Sequence, residues 1–394
     1  MIKTLLTACA LLAGTGGRPC VEPGAAAPAP SPAGARAEKE WTVMVYVNAK
    51  NNLDKFGLKD VNEMEAAGST DKVNIVAELG RKSGNSRYLV NKDSDPANIT
   101  SPAVMPLGKA DMGDYKHLAE FGRWAKANYP AKHYMLVVWN HGTGWVAKGP
   151  GAARGVSYDD ETRHHITTPE LAMALKDIGK VDVLGFDACL MQMAEVAYEI
   201  MPYTDYIIGS EQTTPGDGYP YDKVLAPLTA NPGMTAEELG RGTVSAFVEY
   251  YNSIHEFGAS MSLLRTDKLP ELAELTAAWT AAVRTAGESA AVKTAKNNAQ
   301  RYTNADNKDM SHFVQLASEG AQNAEVRQQG RALSDFIAGE LVLAMGRVGG
   351  VGLATRGLTV YMPEGSFFDN DYDSLVWGKV SGWVSFARWA QAIR

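Results

Sequence analysis

Five short, nearly continuous apolar runs dominate the first 210 residues: Thr42–Val47 (TVMVYV), Val73–Leu79 (VNIVAEL), His133–Trp139 (HYMLVVW), Val181–Phe186 (VDVLGF) and Tyr206–Ser210 (YIIGS). Such runs, rich in β-branched residues and lacking strict alternation, predict strands buried on both faces. Between them lies text with apolar residues at helical spacing. Leu58, Val61, Met64 and Ala67 mark one helix and Tyr115–Tyr129 a second. In a third, Leu171, Ala174, Leu175 and Ile178 follow the Thr167-Thr168-Pro169-Glu170 start signal, and Gly179 is the stop. Met191–Met201 is a fourth, and Tyr88–Val90 with the stretch around Val104 reads as a small hairpin. Strand–helix–strand order of this kind predicts a mainly parallel sheet flanked by helices, the α/β class.

Beyond Asn231 the text turns chiefly helical, over Thr235–Ser253, Lys268–Ala286, Ala290–Tyr302 and Phe313–Leu343, with Ser260–Leu264 and Leu358–Met362 as additional strand candidates. The expected organisation is therefore four parts. Residues 1–20 read as an export signal, with Lys3 before the apolar run Leu5–Gly14. Residues 21–40 form a Pro/Ala-rich linker, 41–230 the α/β core, and 231–394 a helical part that returns a strand to the core. Leu6-Thr7-Ala8-Cys9 resembles a lipoprotein signal, and Cys20 is the other residue where a lipid could attach. The expected location is outside the cell or in a bacterial envelope, with membrane contact only through such an anchor.

Net charge is −7, from 38 basic and 45 acidic residues, which argues against nucleic acid as a partner. The chain has 3 cysteines, and Cys189 alone falls in the globular part, so no disulfide or CxxC metal site is expected there. In parallel sheets, ligands sit where loops leave the carboxyl ends of strands. Asn140-His141-Gly142-Thr143-Gly144 follows one strand and Asp187-Ala188-Cys189 follows another. If those strands are neighbours, imidazole and thiol meet at one edge of the sheet. The imidazole can then deprotonate the thiol, and a helix start just after Cys189 would favour the thiolate. The N–H groups of Gly142 and Cys189 are the candidate oxyanion hole. A buried core cysteine and a histidine in a glycine turn are the plainer alternatives.

Four strings sharpen the choice: WTVMVYVNAKNNLD at the first strand, VVWNHGTGW around His141, VLGFDACLMQMAEVAYE around Cys189, and GSEQTTPGDGYPY after the next strand. In that order they resemble the clostripain family of cysteine peptidases, within the caspase-like clan, and the late GLTVYMPEG segment resembles the family's returning strand. The resemblance implies a caspase-like sheet and a His141–Cys189 dyad acting through a thioacyl-enzyme. It also implies cleavage of protein or peptide substrates after Arg, or Lys. By position, Asp217 in Pro215-Gly216-Asp217-Gly218 matches the family's acidic specificity residue; Asp187 helps line the same pocket, Ser210 contacts the substrate backbone, and Glu211 is a weaker substitute. PGDG is also plain turn text.

Relatives are processed between the two motifs, which makes Lys148, Arg154 and Arg163 the basic candidates for autocleavage. No cofactor is required by this chemistry; calcium is the one ion the resemblance leaves open. The His164-His165 loop, with Asp159, Asp160 and Glu161, lacks EF-hand order and HExxH spacing and reads as a solvated hairpin rather than a metal site. Asp306-Asn307-Lys308-Asp309 reads as a polar loop. A monomer is expected. The competing reading is an inactive caspase-like binding or scaffold protein; a third is a hydrolase with a metal at the His164-His165 loop.

Overall fold

The apolar runs assemble side by side in the computed structural model, which describes residues 36–145, 154–256, 258–365 and 367–393. The expected export signal, Cys9, Cys20, most of the linker and Lys148 lie outside the described residues. The strands in chain order are β1 (Lys39–Asn48), β2 (Val73–Arg81), β3 (Gly84–Leu89), β4 (Ala103–Gly108), β5 (Ala131–Trp139), β6 (Gly142–Gly144) and β7 (Gly155–Val156). They continue with β8 (Val181–Asp187), β9 (Thr204–Gly209), β10 (Ala259–Arg265), β11 (Asn307–Asp309), β12 (Val342–Val348) and β13 (Thr359–Tyr361). Nine of them form one sheet in the order β12-β10-β9-β8-β5-β1-β2-β3-β4. The five central strands are parallel, and an antiparallel pair extends the sheet at each end.

Both faces of the sheet are covered, which explains the unbroken apolar text. Along β1, Trp41, Val43, Val45 and Val47 point to one core while Met44 and Tyr46 point to the other. Helices Asp54–Ala67, Tyr221–Ala230 and Ala236–Ser253 contribute buried side chains to the first core. Tyr115–Asn128, Thr168–Ile178 and Ala194–Ile200 contribute to the second, together with the C-terminal helices. Thr167 closes a full capping box with Glu170, and Gly179 at φ 78° ends that helix, as the sequence signals require.

Residues Arg36–Arg394 pack as one unit, and the C-terminal part lends two strands to the main sheet. One of them, β12, falls where helical text was expected to run through Leu343. The expected helix Phe313–Leu343 is in fact two, Met310–Gly320 and Ala324–Phe336, the second capped by Asn323, whose side chain accepts from the N–H groups of Glu325 and Val326. Ile337–Leu341 continue as a π-helical turn, and from Val342 the chain pairs antiparallel with β10. The strand of the GLTVYMPEG segment, β13, pairs with β11 rather than with the main sheet. Asp306–Asp309 is likewise not a polar loop: Asn307, Lys308 and Asp309 are fully buried in β11.

Glu195 fastens β13 to the core side of the sheet. Its Oε1 accepts from the Tyr361 N–H at 2.9 Å and the Tyr372 hydroxyl at 2.7 Å, while buried Oε2 has no partner. Desolvation raises this carboxyl to about 7. A folded-state value above the unfolded one means the native state holds the proton more tightly, so stability falls as pH rises from the ordinary carboxylate range to about 7. Glu195→Gln keeps the Oε1 acceptor and removes the titration. Thermal melts should show the variant more stable than the parent at pH 8 by a few degrees, with a flatter profile between pH 5 and 7; a lower melting temperature at pH 8 would contradict this.

Candidate active site

The sheet register brings the two chemical loops together. β5 and β8 are adjacent and parallel, with Trp139 opposite Asp187, so His141 and Cys189 each stand two residues beyond the last matched pair. The Asn140 N–H donates to the Asp187 carbonyl at 3.1 Å, carrying the ladder one step further. Gly142 lies hard against the cysteine loop, where a Cβ would stand 2.4 Å from the Cys189 carbonyl oxygen. Only glycine permits that approach. His141 and Cys189 line one cleft of about 230 Å³ with Leu53, Trp139, Asn140, Asp187 and the 213–216 segment.

His141 is held from the β1–helix loop: its Nε2 lies 2.7 Å from Asn52 Oδ1. An amide oxygen only accepts, so Nε2 carries the proton and Nδ1 keeps a lone pair. Burial lowers the imidazole from its ordinary value, with partial opposition from Asp160, which favours the neutral base. Buried Asn140 locks the preceding residue, its side-chain oxygen accepting from the Tyr158 N–H at 2.7 Å.

The surroundings of Cys189 differ from the sequence expectation in one respect. The helix begins at Ala194, not beside the thiol: Cys189 and Leu190 form a turn, and Met193, the residue before the helix, is extended. The Leu190 N–H bonds the Gln212 carbonyl, and the Gln192 N–H the Ser210 carbonyl, both at 3.1 Å. Leu190 itself is left-handed, with φ 62°, an unusual conformation for a non-glycine residue. The N–H that reaches the sulfur belongs to Thr214, at 3.3 Å, with its hydroxyl at 3.6 Å. Cys189 is half-buried rather than interred.

The carboxylate lining the cleft is Asp187. Its Oδ2 accepts from the Tyr219 N–H at 2.9 Å and the Tyr221 hydroxyl at 3.1 Å, and desolvation raises it to about 7. Gly218, at φ 63°, admits this approach: a Cβ there would stand 2.6 Å from Asp187 Oδ2. Asp217 occupies the same loop but pairs with Lys59 at 3.2 Å and is not among the residues lining the cleft. Ser210 corrects an expectation: it is fully buried, and its hydroxyl donates to the Gln212 carbonyl at 2.9 Å, so it does not face the cleft. Glu211 is buried too, accepting from the Tyr302 hydroxyl and the Gly357 N–H.

Arg154, a candidate for autocleavage, is clamped. Its guanidinium pairs with Asp369 at 2.6 Å and Asp371 at 2.7 Å and lies over the Trp145 ring. His165 stacks on Tyr158 and accepts from the Arg154 N–H, while His164 pairs with Asp111 at 2.5 Å. A larger cavity of about 930 Å³ lies under the β3–β4 hairpin, but it is lined by no histidine, cysteine or carboxylate, so chemistry favours the smaller cleft. Sequence reasoning missed Asn52 and Thr214; Asn52 stood in the NAKNNLD string, with nothing local to show that its amide would face a histidine 89 residues away.

Residues 45–389 match the model of the clostripain family, Peptidase C11. Clostripain of Hathewaya histolytica is 31% identical over 229 residues, which cover 50% of this chain and 44% of clostripain, so the match spans less than half of that relative. A secreted C11 cysteine protease of Bacteroides thetaiotaomicron, solved with an irreversible peptide inhibitor, superposes with a TM-score of 0.69 at 21% identity, covering 89% of this chain and 99% of that one. An inactive zymogen C11 protease of Parabacteroides distasonis has the same TM-score and identity over 88% of this chain and 99% of its own. At such identity these two likenesses speak for the shared fold, and the family model speaks for descent. The chain belongs to the clostripain family of cysteine peptidases.

Proposed function

We propose that the protein is an endopeptidase that cuts after Arg or Lys by a His141–Cys189 dyad. The observation that carries this reading is a half-buried thiol and an imidazole in one cleft that Asp187 also lines. His141 takes the thiol proton, and the Cys189 sulfur attacks the scissile carbonyl. The N–H groups of Gly142 and Cys189 receive the oxyanion, His141 returns the proton to the leaving amine, and water then resolves the thioester. Asn52 keeps the ring in its working tautomer. No cofactor enters these steps.

Basic specificity follows from the carboxylate content of the cleft. Among the described residues, neither Asp187 nor its neighbour Asp60 forms an ion pair with a lysine or arginine, so a substrate guanidinium or ammonium would supply the missing countercharge. Asp187 takes the principal role, and Asp217 acts through the loop it anchors with Lys59. Export belongs to the same proposal, supported by Lys3 and the Leu5–Gly14 run and by the secreted Bacteroides relative. Recovery of full-length chain only from cytosol would exclude it.

Purified chain should release fluorophore from arginyl and lysyl peptide reporters, and Cys189→Ala should reduce this by at least about 10³-fold with an unchanged melting temperature. Equal turnover by the variant would refute the nucleophile; a parent that neither turns over reporters nor reacts with an arginyl chloromethylketone would identify a binding protein instead. Asp187→Asn should cost about 10²-fold in kcat/KM on arginyl reporters, mostly in KM, with a much smaller loss for Asp217→Asn. The reverse ranking would move the specificity role to Asp217. Because Asp187 binds a cation only when ionised, KM for arginyl reporters should fall as pH rises through about 7. A flat KM between pH 6 and 8 would contradict the pocket.

A further inference from the structure

Behind Asp187 lies a second acid that the dyad does not use. Asp60 sits on helix Asp54–Ala67, two turns after Leu53, so both residues share the helix face turned toward the cleft. Its side chain is fully buried. Oδ2 accepts from the indole N–H of Trp139, a cleft-lining residue, at 2.6 Å, and buried Oδ1 has no partner. A buried carboxylate with an orphaned oxygen is costly unless neutral or met by a cation.

The groups around Asp60 supply no free cation. Desolvation and the charge of Asp187 raise it well above the ordinary carboxylate range; Glu63 adds to this, while Trp139 and Lys59 oppose it. Lys59 is committed to Glu63 and Asp217, each at 3.2 Å. Tyr221 and Tyr251 complete the surroundings, and both phenols are held neutral by burial and the neighbouring acids. The cleft therefore has one carboxyl in its wall, Asp187, and behind it a second, Asp60, whose burial favours the protonated form.

We propose that Asp60 is a specificity-determining reserve carboxylate, which gives its proton to solvent when the basic side chain of the substrate enters the cleft. The entering cation offsets the charge of Asp187, which adds to burial in favouring the protonated form of Asp60. The O–H bond of the Asp60 carboxyl breaks, a buffer base takes the proton, and the ligand then faces two negative charges, Asp187 in contact and Asp60 behind it. Asp187 makes the contact, and Asp60 is a positioning residue acting through it. A neutral side chain triggers no release, so recognition of charge is coupled to a proton count. This rests on the reading of the cleft as a basic-residue pocket.

The test uses the full chain carrying Cys189→Ala, titrated calorimetrically at pH 8 with acetyl-leucyl-arginine amide and with its alanyl counterpart, in buffers of different ionisation enthalpy. At that pH Asp187 is already largely ionised, so release reports Asp60. The expected result is release approaching about one proton per arginyl peptide. In Cys189→Ala/Asp60→Asn, release should be near zero and affinity on the order of tenfold weaker. Arginyl binding without proton release, or equal release from both proteins, would overturn the proposal and leave the basic-residue pocket standing. Equal binding of arginyl and alanyl peptides would overturn the pocket itself, and the proposal with it. If the Asn variant melts early, the proton count of Cys189→Ala alone decides.

Discussion

The site depends on one parallel ladder. With β5 and β8 adjacent and Trp139 opposite Asp187, the two loops that leave the sheet must carry His141 and Cys189 into the same space. A shift of one residue would send alternate side chains to the opposite face of the sheet. The register is held by the apolar residues of both strands, buried in cores on the two faces. Just beyond the last pair it is held by the Asn140 N–H on the Asp187 carbonyl and by the glycine contact at Gly142. The meeting of these two loops is a consequence of core packing.

The central strands were legible in the sequence because burial on two faces leaves little room for polar residues. The helices that carry explicit caps, such as the one opened by Thr167 and Glu170, were legible for a local reason. What failed was non-local. β12 is written in residues that suit a helix, and its pairing with β10 overrides that preference. Asn307, Lys308 and Asp309 look like surface text, yet β13 and the Tyr302 and Glu364 contacts bury them. Much the same division holds in the site. His141 and Cys189 announce themselves by chemistry and strand ends, whereas Asn52 and Thr214 act through contacts that only the folded chain defines. Asp217 and Asp187 were separable only once Lys59 was seen to hold the former.

A recurring theme is the buried acid without a basic partner. Asp187 lines the cleft and Asp60 bonds the cleft residue Trp139, Glu195 fastens β13, and Glu211 with Asp309 shares the Tyr302 hydroxyl beneath the 355–357 turn. Desolvation raises all five. At Glu195, Glu211 and Asp309 the acids bind neighbouring backbone N–H groups and so join elements distant in sequence. Of these five, Asp187 alone lines the cleft that holds His141 and Cys189.

The most direct test is a crystal structure of the protein after inactivation by an arginyl peptide chloromethylketone. The account predicts a single thioether at Cys189 Sγ, the arginyl guanidinium within hydrogen-bond distance of Asp187, and the His141 ring beside the bond. An adduct on another residue, or an arginine side chain directed to solvent or toward Asp217 and away from Asp187, would contradict it.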